Sequence, residues 1–199
     1  EDAFRFFSTY GIPTTACYLA RTAGEAVGLA SRIGYPVVMK IASEDVVHKS
    51  DVNGVVCGVC SPEEVTTTFH SILENLKRHL PGARADGVTV HNMITGYDHE
   101  LIVGAKKDQE CGPVIMFGLG GRDAEYFRDF AVGLPPLNQV LARRILEQTR
   151  IYQLLANGSR NRYPVNLRQL ADILVKVSNL VVDFPEIGEL EINPLAVNK

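Results

Sequence analysis

No apolar run in the 199 residues reaches the roughly 20 needed for a helix to cross a bilayer. That excludes a helical membrane span. Charge of one sign is equally scarce: 20 Lys and Arg stand against 23 Asp and Glu, a formal net of −3. Nothing in that balance draws the chain to nucleic acid or to an anionic membrane surface. No secretory leader is visible, and the first residue is Glu1 rather than Met, so the expectation is a piece of a longer polypeptide. Cysteine is sparse and scattered, at Cys17, Cys57, Cys60 and Cys111. Cys57 and Cys60 have the C-x-x-C form. They lie in a strand-like run, Val55 to Cys60, where residues three apart face opposite sides. No second pair supplies zinc ligands at the usual spacing. The thiols are expected to be buried apolar groups in a reducing, cytoplasmic compartment. There is no internal repeat and no low-complexity segment. What remains, 46% apolar and 22% charged, is an ordinary globular composition with one large or two small domains.

Periodicity predicts a mixture of helices and strands. A short helix over 2–10 carries Phe4 and Phe7 and stops at Gly11-Ile12-Pro13. A second, over 23–33, spaces Ala23, Val27, Ala30 and Ile33 helically and closes at Gly34. Residues 35–41 read as a buried strand ending in Lys40-Ile41, and 55–60 as another. The helix over 62–80 has Ser61 as cap, Pro62 in its first turn and a stripe of Val65, Phe69, Ile72, Leu73, Leu76 and Leu80. Pro81-Gly82 breaks it. Strands follow at 87–94, 99–106 and 113–118, with Glu100, Ile102, Gly104 and Lys106 on one face of the second. Helices are predicted at 138–150 and 166–184, the latter with Leu167, Leu170, Leu174, Val177, Val181 and Phe184 on one side. A strand spans 189–195. The class is α+β, with a lobe boundary near 94–98.

Chemistry concentrates between Lys40 and Gly54. Lys40 ends an apolar strand and offers a point charge to phosphate. Eight residues later His48-Lys49-Ser50-Asp51-Val52-Asn53-Gly54 gathers an imidazole, an ammonium, a hydroxyl and a carboxylate in one loop. Lys49, Ser50, Asp51 and Gly54 are read with Lys40 as phosphate-holding, although Asn53-Gly54 equally suits a plain turn. Histidine nitrogen attacks phosphorus competently, and Asp51 or a neighbouring carboxylate is placed to orient the His48 ring. His70, His79, His91 and His99 read as solvated imidazoles. The glycines of Gly118-Leu119-Gly120-Gly121 allow a ligand close to the backbone. The run matches neither the Walker pattern nor the dinucleotide fingerprint. Glu125 lies where its carboxylate can return to that turn, or stay an exposed acid. Glu191 and Asn193, two apart on the last strand, are hard oxygen donors of the kind Mg²⁺ takes alongside water and phosphate.

Together, Tyr10-Gly11-Ile12-Pro13, GYPVVMKIASEDVVHKSDVNGV (34–55), HELIVGAKKDQECGPVIMFGLGG (99–121) and VSNLVVDFPEIGELEINPL (177–195) resemble the ATP-grasp domain of ADP-forming acyl-CoA synthetases, the acetate–CoA ligases, relatives of the succinyl-CoA synthetase beta subunit. The resemblance covers nearly the whole chain in order. It implies the ATP-grasp fold, an α+β architecture whose two lobes clamp a nucleotide, here 18–94 for the first and 1–17 with 95–199 for the second. It implies ATP or ADP and Mg²⁺ as cofactors. Lys40 would contact nucleotide phosphates, Glu100 would sit in the nucleotide site, and Asn193 would hold Mg²⁺ with Glu191 beside it. His48 matches a histidine that takes phosphate from a phosphohistidine on a CoA-binding partner domain and passes it to ADP. The partners implied are the CoA-binding and ligase domains, on the same polypeptide or another subunit. The family reaction is acyl-CoA + ADP + phosphate ⇌ carboxylic acid + ATP + CoA. Asn92 stands where members often have Glu, and Gly133 where many stand-alone members have Arg. The stretch 131–138 looks more like long fused bacterial forms, which supplies a second reading: a non-catalytic sensing domain of a fused acetyltransferase. The family pattern continues beyond the EINPL strand to a further strand with an acidic Mg²⁺ ligand.

Overall fold

The computed structural model describes residues 2–46, 48–121, 124–160 and 162–198; the side chains of Asp2 and Glu125 are outside that description. The chain divides into two units, one of residues 1–9 with 13–93 and one of 10–12 with 94–199. Residues 1–9 and 13–17 thus fall in the first unit, whereas the family pattern grouped 1–17 with the second. The cause is local: Cys17–Ala20 is a strand of the first unit's sheet.

The first unit runs α1 (Asp2–Thr9), β1 (Cys17–Ala20), α2 (Ala23–Ile33), β2 (Val37–Ala42), β3 (Val55–Val59), α3 (Pro62–His79) and β4 (Gly87–Asn92). Its strands form one antiparallel sheet in the order β1-β4-β2-β3. Both long helices start the same way. Thr22 Oγ1 accepts from Glu25 N–H, and Ser61 Oγ from Glu64 N–H, each at 3.2 Å. The two glutamates reach back to the N–H groups of Arg21 and Cys60, each at 2.7 Å, satisfying donors just ahead of each helix. Val65, Phe69, Ile72 and Leu76 of α3, with Ala26 and Ala30 of α2, bury against Met39, Ile41, Val88 and Val90 of the sheet. Leu80, expected in the stripe, is 40% exposed because α3 has ended.

The second unit contains β5 (His99–Asp108), β6 (Gly112–Leu119), α4 (Ala124–Phe127), β7 (Phe130–Gly133), α5 (Gln139–Glu147), α6 (Tyr152–Asn157), α7 (Leu167–Asp183) and β8 (Glu189–Val197). Its sheet is antiparallel throughout, in the order β7-β6-β5-β8. α7 packs on β5 and β6 and against α5. Leu170, Leu174, Val177 and Val181 are buried on it, and Leu101, Val103, Ile115 and Phe117 are buried on the strands. The Tyr-Gly-Ile-Pro segment is tied to α7. Tyr10 Oη donates to Asp183 at 2.6 Å, Lys176 Nζ donates to the Gly11 carbonyl at 2.8 Å, and Ile12 is 2% exposed. Its place in the pattern is therefore explained by packing within this unit. Among the described residues no helix is long and apolar enough to cross a membrane.

The thiol expectation needs correcting. Only Cys17 is buried; Cys57, Cys60 and Cys111 are exposed. β3 pairs with β2 through a register irregularity, and Gly58 adopts φ +75°. Strict alternation therefore does not govern Cys57 and Cys60. The histidine expectation holds for His70 and His79, which are exposed, and fails for His91 and His99, at 7% and 5% exposure.

Candidate functional site

The loop after β2 is folded on itself. Asp51 N–H donates to the His48 carbonyl at 3.1 Å, Asn53 N–H to Ser50 at 3.1 Å, and Gly54 N–H to Lys49 at 2.8 Å. Ile41 N–H then donates to the Gly54 carbonyl at 2.7 Å, returning the loop to the end of β2. Asn53 takes φ +48°, a conformation asparagine tolerates, and Asn75 of α3 donates to its carbonyl at 3.3 Å. Val46 and Val52 are buried in the core and anchor the loop. Val52 turns inward, whereas Ser50, Asp51 and His48 are exposed, and Lys49 and Lys40 are half-buried.

This geometry separates the loop residues by role. Gly54 is buried, and a Cβ there would overlap the Ile41 side chain, so glycine is required by close packing. Ser50, Asp51 and the His48 ring are presented outward on a braced frame. Among the described residues the His48 ring has no hydrogen bond to Asp51 or to another carboxylate; Asp51 is linked to His48 through the backbone alone.

In the second unit the Gly118–Gly121 turn draws two predicted residues together. Gly120 N–H donates to the Glu100 carbonyl at 2.9 Å, and Gly121 N–H donates to Asn193 Oδ1 at 3.3 Å. Gly121 has φ +83°, and a Cβ there would run into the Glu100 carboxylate. Glu100 accepts on its other oxygen from Tyr97 Oη at 2.6 Å. Tyr97 is a residue the sequence reading did not single out; its signal was its position three residues before Glu100. Gly118 and Gly120 are required by neighbouring backbone: Cβ atoms there would strike Asp129 with Phe130, and Leu101, respectively. The turn's glycines thus serve first to bring chain segments close, and only Gly121 opens onto a predicted site residue. Glu125 lies in α4, with its side chain outside the described residues.

Glu191 and Asn193 are both exposed on β8. Glu191 is in register with Gly104, which presents no side chain opposite it. The β5–β8 register is irregular between Val103 and Leu101, matched to Ile192 and Leu195, so an extra residue accompanies Asn193. That bulge fits Asn193 turning towards Gly121. Among the described residues the Glu191 side chain makes no ion pair or hydrogen bond, and no cluster of three or more His, Cys, Asp or Glu forms a complete metal site. Two hard oxygens beside a small residue suit Mg²⁺, which fills the rest of its shell with water and phosphate oxygens.

The chain's relatives are consistent with these features. A family model described as an ATP-grasp domain matches residues 1–199. Acetate–CoA ligase (ADP-forming) I subunit beta of Pyrococcus furiosus is 39% identical over 194 residues, covering 98% of this chain and 83% of that subunit. Acetate–CoA ligase (ADP-forming) I of Archaeoglobus fulgidus is 40% identical over 188 residues, covering 94% of this chain and 27% of the ligase. The chain therefore spans most of a separate subunit and about a quarter of the longer form. Among solved structures, acetyl-coenzyme A synthetase 1 of Ca. Korarchaeum cryptofilum, in complex with coenzyme A and Ca-AMPCP, superposes with TM-score 0.91 at 40% identity, covering 98% of this chain and 84% of that one. The same enzyme with coenzyme A and Mg-AMPPCP, its phosphohistidine segment pointing towards the nucleotide binding site, gives TM-score 0.81 at 36% identity, with 100% and 85% covered.

Proposed function

The chain belongs to the ATP-grasp domain family, and from that premise we propose that it is the nucleotide-binding, phosphoryl-transferring part of an ADP-forming acyl-CoA synthetase. The observation that carries this reading is the Glu100–Gly121–Asn193 cluster, in a chain similar over nearly its whole length to acetate–CoA ligase beta subunits. The reaction is acyl-CoA + ADP + phosphate ⇌ carboxylic acid + ATP + CoA. CoA-binding and ligase portions, on the same polypeptide or a partner subunit, supply the acyl chemistry. The cytoplasm is the compartment proposed, where the exposed Cys57, Cys60 and Cys111 stay reduced.

Lys40 contributes a positive charge to nucleotide phosphates from the second half of β2, and Lys49, Ser50 and Asp51 belong to the braced loop that follows it. Glu100, held by Tyr97, binds polar groups of the nucleotide. Glu191 and Asn193 would hold Mg²⁺, which when bound neutralises phosphate charge and fixes phosphate orientation. His48 is the covalent relay. A neutral ring nitrogen of His48 forms a bond to phosphorus as the P–N bond of the partner's phosphohistidine breaks. The proton lost from the other His48 nitrogen balances the one taken up by the leaving ring. The new P–N bond then breaks as an oxygen of ADP bonds to phosphorus, giving ATP and a His48 ring that takes up a proton from water to return to its neutral form.

The test uses the full-length protein with γ-labelled ATP and Mg²⁺. An acid-labile, base-stable phosphoprotein label mapping in part to His48 is expected. His48→Ala should remove that label and lower turnover by orders of magnitude. Unchanged labelling of this domain and an unchanged synthetase rate in His48→Ala would rule the relay out.

A further inference from the structure

The first unit holds a buried titratable group that the proposed reaction does not use. His91 lies within β4, whose neighbouring Val88 and Val90 face the apolar core. Register pairs His91 with Val38 of β2 and with Cys17 of β1, and pairs Thr89 with Lys40. Paired residues share a sheet face. Lys40, Thr89, His91 and Cys17 therefore all lie on the face opposite Met39, Ile41, Val88 and Val90. Phe4 of α1 covers the imidazole there, with ring centroids 5.6 Å apart.

The hydrogen bonds on this face run in one direction. Thr89 Oγ1 donates to the Lys40 carbonyl at 3.2 Å. A hydroxyl has one proton, so when Thr89 gives it to the Lys40 carbonyl its oxygen accepts from His91 Nε2, 2.8 Å away. That arrangement takes the tautomer with its proton on Nε2, and the Cys17 sulfur lies 3.8 Å from the same nitrogen. Burial first, then the charges of Lys40 and Lys49, push the His91 pKa down to about 4. The ring is accordingly neutral near pH 7 and adds no third positive charge beside the two ammonium groups. A relay results, from His91 Nε2–H through the Thr89 hydroxyl to the main chain of Lys40.

We infer that His91 and Thr89 are positioning residues for Lys40, holding its backbone so that the ammonium leaves β2 in the direction phosphate requires. The inference rests on the reading of Lys40 as a phosphate-binding residue. Its physical basis is the length of the lysine stem. Four methylenes convert a small tilt at the root into a large displacement at the tip, so fixing the carbonyl narrows the space the charge explores. An aliphatic side chain at position 91 would fill the same volume under Phe4 and leave Thr89 without its donor. The polar link, rather than the packing, is what this arrangement adds.

Calorimetry with ADP and Mg²⁺, and steady-state turnover, on the full-length protein would test this. His91→Leu and Thr89→Val should each weaken ADP binding about fivefold, the worth of one hydrogen bond. KM for ADP should rise while kcat changes little. His91→Gln, which can still donate, and Thr89→Ser, which keeps the hydroxyl, should restore affinity. The double variant His91→Leu/Thr89→Val should bind no more weakly than either single one, because both break the same relay. Wild-type affinity in His91→Leu and Thr89→Val, alongside weakened binding in Lys40→Ala, would overturn the inference and leave the reading of Lys40 intact. Unchanged binding in Lys40→Ala would overturn the reading of Lys40 itself. Should His91→Leu unfold at the working temperature, Thr89→Val, which is close to isosteric, makes the same comparison.

Discussion

Gly121 N–H donates to Asn193 Oδ1 across the end of the second sheet, at 3.3 Å, joining residues 72 apart in the chain. Asn193 thereby spends one acceptor site on the backbone and keeps another lone pair for a cation. Asn193→Ala removes both functions at an exposed position, so stability should change little. The Mg²⁺ concentration for half-maximal activity should rise about tenfold, the scale seen when a metal site loses an oriented ligand. Asn193→Asp should recover most of that loss. A magnesium titration of turnover, paired with a thermal melt, measures both.

Gly121 offers a second test because Gly112, at the far end of β6, serves as its control. Gly121→Ala sets a left-handed residue and a methyl group against the Glu100 carboxylate. Gly112→Ala at φ +75° meets nothing within 4 Å. Both should lose roughly 1 kcal/mol from backbone strain. Only Gly121→Ala should also weaken nucleotide binding, since Glu100 must move from Tyr97. Equal affinities in the two variants would mean that the Glu100 position is immaterial to the nucleotide.

The parts of the fold readable from the sequence are those with long periodicity and explicit ends. α2, α3 and α7 each carry an apolar stripe, and Ser61 marks the start of α3. β1 and β7 are four residues each, too short to show alternation, and were not anticipated. The expected 138–150 helix stops at Glu147, and α6, six residues long, lies past its expected end and was not anticipated. The site divides on similar lines. Lys40 and the His48 loop stand out by composition, and Glu191 with Asn193 by alternation. His91 could not be read as buried, because its cover is Phe4 of α1, far off in sequence. The glycines of the Gly118–Gly121 turn looked like ligand contacts, and the structure shows that Gly118 and Gly120 answer to neighbouring backbone.

Thiol accessibility checks the irregular β2–β3 pairing directly. Cys57, Cys60 and Cys111 are exposed, and Cys17 is 8% exposed beside His91. An aromatic disulfide reagent should titrate three thiols rapidly in the native chain and the fourth only on unfolding. One fast thiol would instead restore the buried, strictly alternating strand that composition suggested.

Ser178 is fully buried in α7, and its hydroxyl oxygen accepts from Leu137 N–H at 2.7 Å. The bond ties the segment ahead of α5 to the helix it packs on. Ser178→Ala leaves that N–H buried without an acceptor, costing about 1–3 kcal/mol. Urea unfolding should show the loss as a lower midpoint with an unchanged slope. ADP affinity should not move, since neither residue belongs to the proposed site.

The pH dependence of stability follows from His91. Its folded pKa is depressed from 6.5 to about 4, by burial first and then by Lys40 and Lys49. Thr89, Cys17 and Phe4 also lie against the ring, and none of them is an acid. The unfolded chain therefore binds a proton near pH 6.5 that the folded chain refuses until about pH 4. Stability from the neutral ring is complete above pH 6.5 and falls as the pH drops from 6.5 towards 4. The loss from this group is on the order of 3 kcal/mol at most, at about 1.4 kcal/mol per pKa unit. Urea midpoints measured between pH 7 and 4 should fall more steeply for the wild type than for His91→Gln, which has nothing to protonate. Parallel curves for the two proteins would show that the imidazole is not held neutral by its surroundings.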